Sequence, residues 1–382
     1  MGETRAVWPS VPAYLATARP TEPVWLFAPQ VLQATARHYL EGFAGLVSYA
    51  VKANPDEAVL NNLAAAGVRA FDVASPAEIR LLRRLLPGAA LHYNNPVRSR
   101  EELAFAARRG VRSFAVDCTE ELDRLAATVP PGACEVSVRF KLQVSGAAYD
   151  FGSKFGAPPE AAARLLRRAG AAGFRPSLTF HPGTQCTEPQ AWTAHVAEAA
   201  RIAARAGVKL HRLNVGGGFP VPRGGAGTPC PGDVFSAVAA AVARHFGPDA
   251  PGLVCEPGRG LVAESFVLLV RVRARRGADE LFLNDGIYGG LAEWRDIGPS
   301  ARLVALDRAG RPRQGGRLRR CTLFGPTCDS IDRLPGRYPL PDSVQEGDYL
   351  VFPDQGAYSR VLATRFNGYG PRRVETVARF GL

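Results

Sequence analysis

No apolar stretch in this sequence is long enough to cross a membrane; the longest are short or broken by Arg, Gly or Pro. The opening Met1-Gly-Glu-Thr-Arg leads into no apolar signal core, so secretion is not expected and a cytoplasmic protein is. Cysteine is sparse: seven residues, scattered, with no CxxC pair and no regular spacing. Such a set predicts reduced thiols rather than a disulfide frame, and no metal site. Long basic runs interleaved with aromatics are also missing. Basic side chains outnumber acidic ones, 47 to 35, for a net charge of +12. Most of that excess is arginine in helical pairs such as Arg83-Arg84, Arg108-Arg109 and Arg167-Arg168. We read it as solvated helix faces, with room for an anionic cofactor, and expect no nucleic-acid partner.

What the chain does have is core material: 46% apolar and 21% charged over 382 residues, enough for two domains or a barrel with an appendage. From about residue 30 to 260 the pattern repeats as apolar strand, turn, then Ala/Leu/Arg helix. Eight strands are predicted, at 47–54, 70–75, 91–95, 113–117, 135–142, 177–183, 210–218 and 253–257. Helices are predicted at 56–66, 76–86, 100–109, 119–128, 159–172, 189–206 and 233–246, several opening on Asp, Ser or Thr or with Pro in the first turn. Eight such units predict an α/β fold, a (β/α)8 TIM-like barrel over 28–262, with a doubly wound sheet as the alternative. After Gly260 the helical pattern fades. Strands are predicted at 267–275, 281–284, 302–306, 319–324 and 349–352, giving a second, β-rich domain of residues 1–27 plus 263–382. The only low-complexity segment is the Gly/Pro loop at 220–232.

The first strand, Val47-Ser-Tyr-Ala-Val-Lys-Ala-Asn54, closes on Lys52. A lysine at a buried strand end either snorkels to solvent or has a lowered pKa suited to a Schiff base. This stretch alone leaves both open. Active sites of such barrels lie at the C-terminal strand ends. There the sequence places Lys52, Asp72, Glu78, Arg139, His181, the run Gly216-Gly217-Gly218, and Glu256 with Pro257-Gly258-Arg259. Three glycines are more often a mere turn. After strand seven, with Pro-Gly-Arg after strand eight, they suit a phosphate cradle, with Arg259 pairing the charge. A buried lysine, a phosphate cradle and a buried carboxylate suggest pyridoxal 5′-phosphate, with Glu256 at the ring nitrogen and His181 on the ring face.

With these residues in place the chain resembles the fold-type III pyridoxal-phosphate decarboxylases, the ornithine/diaminopimelate/arginine group, and is most similar there to the ornithine decarboxylases. The motifs are Tyr49-Ala-Val-Lys-Ala-Asn54, Phe71-Asp-Val-Ala-Ser75, Phe180-His-Pro-Gly183, Asn214-Val-Gly-Gly-Gly-Phe-Pro220 and Cys255-Glu-Pro-Gly-Arg259. In the second domain follow Asn284-Asp-Gly-Ile-Tyr-Gly289, Gly325-Pro-Thr-Cys-Asp-Ser330, Gly356-Ala-Tyr358 and Arg365-Phe-Asn-Gly368. They run in order along nearly the whole chain.

The resemblance implies a head-to-tail homodimer with shared active sites. Lys52 is then the Schiff-base lysine, with Asp72, Arg139 and His181 around the ring and Glu256 at its nitrogen. Thr184, Gly217, Gly218, Gly258, Arg259 and Tyr358 hold the phosphate. Cys328 reaches in from the partner subunit as proton donor. Asp329 binds the distal amine, Phe366 lines the pocket beside Tyr288, and Lys154 lies in a closing loop. The implied reaction is decarboxylation of a basic amino acid, first L-ornithine to putrescine, with lysine, arginine or diaminopimelate as alternatives. Diaminopimelate is disfavoured, since no added arginine is evident for its second carboxylate. Three features depart from the family pattern. Thr184 stands where serine is common, which still supplies a hydroxyl. Pro182 follows the histidine where Val or Ile is usual. The second acidic residue after Tyr288 is either Asp296 or Glu293. An alanine-racemase-like enzyme normally has arginine in place of Glu256, and a non-catalytic regulator would have lost cofactor residues that are present here.

Overall fold

The computed structural model describes residues 6–132, 134–148, 152–224, 227–298 and 300–382. Two compact units divide the chain. One comprises residues 35–220 and 227–261; the other comprises residues 1–34, 221–226 and 262–382.

The first unit is a closed, all-parallel barrel. Its strands are β1 (Leu46–Ala50), β2 (Ala70–Val73), β3 (Ala90–Tyr93), β4 (Ser113–Val116), β5 (Glu135–Arg139), β6 (Arg175–Thr179), β7 (Arg212–Asn214) and β8 (Gly252–Cys255). Each pairs with the next in sequence, and β8 closes on β1 through Val254 with Leu46 and Cys255 with Val47. The strand residues are almost all buried, as a sheet covered on both faces requires. Helix starts follow from local chemistry. Ser75 caps Pro76–Leu85 by accepting from Glu78 N, and Ser99 and Glu102 form a reciprocal capping box at Arg100–Arg108.

The strands are shorter than the sequence pattern predicts. The run 47–54 yields only Leu46–Ala50; Val51–Ala53 is a single 3-10 turn. The runs 177–183 and 210–218 shrink to β6 and β7. The reason is register. Ser48–Ala50 pair with Ala70–Asp72, and β2 itself ends at Val73, so the apolar residues beyond Ala50 have little ladder left to join. Lys52 is consequently not on a strand and is not buried. It stands exposed one turn past the strand end.

The second unit is built on a nine-stranded mixed sheet. Its spine is Phe266–Arg276. The first half pairs antiparallel with Val24–Phe27 on one edge and Tyr349–Phe352 on the other, and the second half pairs with Glu280–Leu283. Helix Val11–Ala18 lays Val11, Tyr14 and Leu15 on a core of Val24, Leu26, Val267, Leu269, Leu306 and Val351. That helix, helix Pro29–Gly42 and strands Tyr338–Pro341 and Arg373–Val377 were not anticipated. Two prolines in one of those strands hid its pattern. No helix among the described residues is long and apolar enough to cross a membrane.

Candidate active site

The turn that carries Lys52 is fastened from several sides. Ala50 N donates to the Pro257 carbonyl at 3.2 Å, and the Tyr49 hydroxyl donates to the Asn54 carbonyl at 3.0 Å. Gly258 closes against the turn: a Cβ there would lie 3.0 Å from the Ala53 Cβ and 3.3 Å from the Ala50 Cβ. The lysine turn and the loop after β8 are therefore fitted to each other.

Three carboxyl groups act on the Lys52 amine. Asp72, at the end of β2, is pushed well above the usual carboxyl range by burial and by Glu256, while Lys52 pulls it back. Glu78 is raised by burial, and its Oε2 accepts the Ala74 N–H at 2.6 Å. Glu256, just past β8, is raised by burial and lowered by Asn214, Lys52, Arg139 and Asn94. Both asparagines donate to its Oε1: Asn214 Nδ2 at 2.6 Å, and Asn94 Nδ2. Nothing in the sequence pattern singled out Asn94, and Asn214 stood out only as part of a motif; buried amides at two strand ends were the available signal.

His181 lies two residues beyond β6. Its Nδ1 accepts the Gly183 N–H at 3.1 Å. Burial and the charges of Lys52 and Arg139 hold it well below the ordinary histidine range, so the ring is neutral and carries its proton on Nε2. Arg139 ends β5, half-buried and stacked on Phe155 at 5.2 Å, with Lys154 at 5.0 Å from the same ring. Beside them is a cavity of about 580 Å³ lined by Arg139, Phe155, His181 and Pro182. Arg259 and Thr184 are buried.

The glycine run is shaped by backbone contact. Gly216 and Gly218 have φ of 67° and 87°, and a Cβ would strike the carbonyls of Phe180 and Gly183 respectively. The Gly216 N–H donates to Asn214 Oδ1 at 2.9 Å. Of the three amides, that one is already engaged within the protein.

The β-rich unit gathers its own group. The Tyr288 hydroxyl donates to Asp329 Oδ2 at 2.5 Å, which lowers the Asp329 pKa, and the Tyr288 and Phe366 rings are 4.8 Å apart. Cys328 is exposed rather than a buried inert thiol, and its N and Sγ both donate to Asn367 Oδ1, at 3.2 and 3.3 Å. Beneath them lies buried Asp332, which accepts from Ile287 N at 3.0 Å and from Thr327 N and Oγ1 at 3.1 and 2.7 Å. Its carboxylate fills the space that Cβ atoms on Gly286 and Gly325 would need. Asp332 thereby ties the Tyr288 turn to the Cys328 loop. Of the two acids after Tyr288, Glu293 is buried, while Asp296 is half exposed and paired with Arg295 at 3.1 Å. Tyr358 has φ of 58° at the start of Ser359–Leu362, where Ser359 Oγ bridges Trp25 Nε1 and the Gly290 carbonyl.

Residues 30–263 match the family described as pyridoxal-dependent decarboxylase, pyridoxal binding domain. The chain belongs to the pyridoxal-dependent decarboxylases. It is 31% identical to mouse (Mus musculus) ornithine decarboxylase over 345 residues, 84% of this chain and 73% of that enzyme. It is 34% identical to the lysine/ornithine decarboxylase of Selenomonas ruminantium, over 85% of this chain and 81% of that one. Among solved structures it is similar to the Paramecium bursaria Chlorella virus arginine decarboxylase bound to agmatine, with a TM-score of 0.84, 25% identity, and coverage of 95% and 98%. The decarboxylases of this family work with pyridoxal phosphate on basic amino acids.

Proposed function

We propose that this decarboxylase acts on a cationic amino acid, L-ornithine giving putrescine, with Lys52 holding the cofactor. The observation that carries the cofactor assignment is the group around Lys52: an exposed amine on a fastened turn, acted on by Asp72, Glu78 and Glu256, with a neutral, half-buried histidine beside it. These residues fit pyridoxal phosphate. Gly217, Gly218, Gly258, Thr184 and Arg259 offer backbone, hydroxyl and guanidinium donors for a phosphate. Glu256 would accept a hydrogen bond from the ring nitrogen and keep that nitrogen protonated, and Asp72 and Arg139 would complete the charge balance around the ring. His181, being neutral, would lie against the cofactor ring without adding charge.

When bound, the cofactor supplies the electron sink for the carbon that loses carbon dioxide. The chain's own residues do the rest. Lys52 provides the amine that the substrate's α-amine displaces. Cys328 of the partner subunit returns the proton, which makes the catalytic unit a homodimer. Asp329 takes the distal amine, with Tyr288, Asp296 and Phe366 as its surroundings. The hydrogen bond from Tyr288 keeps Asp329 ionised, as recognition of an ammonium group requires. One observation favours a second reading. Arg295 is near enough to Tyr288 for their charges to act on each other. A diamino acid with a second carboxylate would find a cation there.

Borohydride reduction of the yellow protein followed by peptide mapping tests the first step, and the label is expected on Lys52. A carbon dioxide release panel tests the second. It is expected to rank L-ornithine first and L-lysine next; a larger rate with diaminopimelate would establish the second reading. A label on another side chain would overturn the cofactor assignment.

A further inference from the structure

We infer that Asn94 and Asn214 are positioning residues that grip Glu256 by one carboxylate oxygen and turn the other toward the cofactor's ring nitrogen. This rests on the assignment of Glu256 to that nitrogen.

The geometry is unusually one-sided. Both amides donate to Oε1, and among the described residues no hydrogen bond reaches Oε2. Glu256 nevertheless retains some exposure, so it is not sealed in the barrel wall. The orientation of Asn214 is fixed by its other end. A backbone N–H can only donate, and that of Gly216 donates to Oδ1. The amide nitrogen must therefore face Glu256, and the side chain cannot serve as an acceptor there. Asn214 links the first glycine of the run to the acid, so the phosphate end and the nitrogen end of the site share one support.

Asn94 has a double role. Its backbone lowers the raised proton affinity of Asp72, and its side chain donates to Glu256. Burial and the nearby Glu256 raise the proton affinity of Asp72, and two adjacent carboxyls relieve such repulsion by one of them taking a proton. The two amide donors to Oε1 favour the ionised form of Glu256. A proton on the other oxygen of Glu256 would set a donor against a ring N–H and remove the charge that holds it. The two asparagines thus act through Glu256 without touching the reacting atoms.

The test uses the holoenzyme and the variants Asn94→Ala, Asn214→Ala and Glu256→Ala. Cofactor affinity is measured by dialysis, and the visible absorption of the bound cofactor is titrated with pH. Each asparagine variant is expected to keep the borohydride label on Lys52. Each is also expected to bind cofactor about tenfold more weakly, the effect of one lost hydrogen bond to a charged group. The pH at which the absorption changes is expected to shift in the direction produced by Glu256→Ala. Asn94→Ala decides the matter if Asn214→Ala, which also frees the Gly216 turn, fails to fold. Unchanged affinity and titration in Asn94→Ala, beside a clear effect of Glu256→Ala, would overturn the positioning role alone. No effect of Glu256→Ala would remove the nitrogen assignment, and the inference with it.

Discussion

Cys328 and Asp285 show how much a single side chain's surroundings decide. Most free cysteines are buried and inert; Cys328 is exposed, with its thiol held by Asn367. If it returns the proton, Cys328→Ala should lower the yield of clean amine roughly a hundredfold, the usual contribution of a positioned acid. Product analysis beside carbon dioxide release checks this, since loss of the acid should spare gas release more than correct protonation. Asp285 sits behind the Tyr288 turn, buried, accepting the Gly290 N–H at 2.9 Å. Burial raises its pKa to about 7. The unfolded chain loses this proton near pH 4, the folded one only near pH 7, so the folded state binds more protons between those values. Stability should therefore fall as pH rises through that window. A Tm series from pH 5 to 8 should show the fall, and Asp285→Asn should flatten it.

At the scale of elements, loops determine the site more than strands do. The glycine run tolerates no side chain where it crosses other backbone. Gly218→Ala would force a Cβ into the Gly183 carbonyl at a left-handed φ that itself costs about 1–2 kcal/mol. It should weaken cofactor binding and lower Tm together, both measurable on the purified protein. The Tyr288 turn and the Cys328 loop depend on Asp332 in the same way. Asp332→Ala would leave the Ile287 and Thr327 N–H groups without their acceptor, a cost of roughly 2–4 kcal/mol. Urea unfolding should register it, along with a rise in KM if Tyr288 and Asp329 lose their mutual alignment.

For the whole molecule, the chemistry divides between two units of one chain, and the proposed sites divide between two chains. The barrel carries Lys52, His181 and Glu256; the β-rich unit carries Cys328, Asp329 and Tyr358. If sites are shared between protomers, mixing Lys52→Ala with Cys328→Ala, each unable to form clean amine at the wild-type rate, should restore about a quarter of the wild-type rate of amine formation through random pairing in a twofold dimer. Activity that stayed at background after dissociation and remixing would refute shared sites.

The amino-acid sequence alone determined the barrel, the β-rich second domain and the family, because strand-and-helix periodicity and ordered motifs are local properties of the chain. Tertiary structure decided what depends on neighbours. Lys52 looked like the buried end of a strand; barrel register stops that strand at Ala50 and leaves the lysine exposed on a turn. Asn94 carried no local signal; only the closure of β3, β7 and β8 into one ring brings its amide and that of Asn214 onto the same oxygen of Glu256. Periodicity records which way a side chain faces along its own segment. Which groups meet across a closed sheet is set by pairing and register, and those belong to the folded chain.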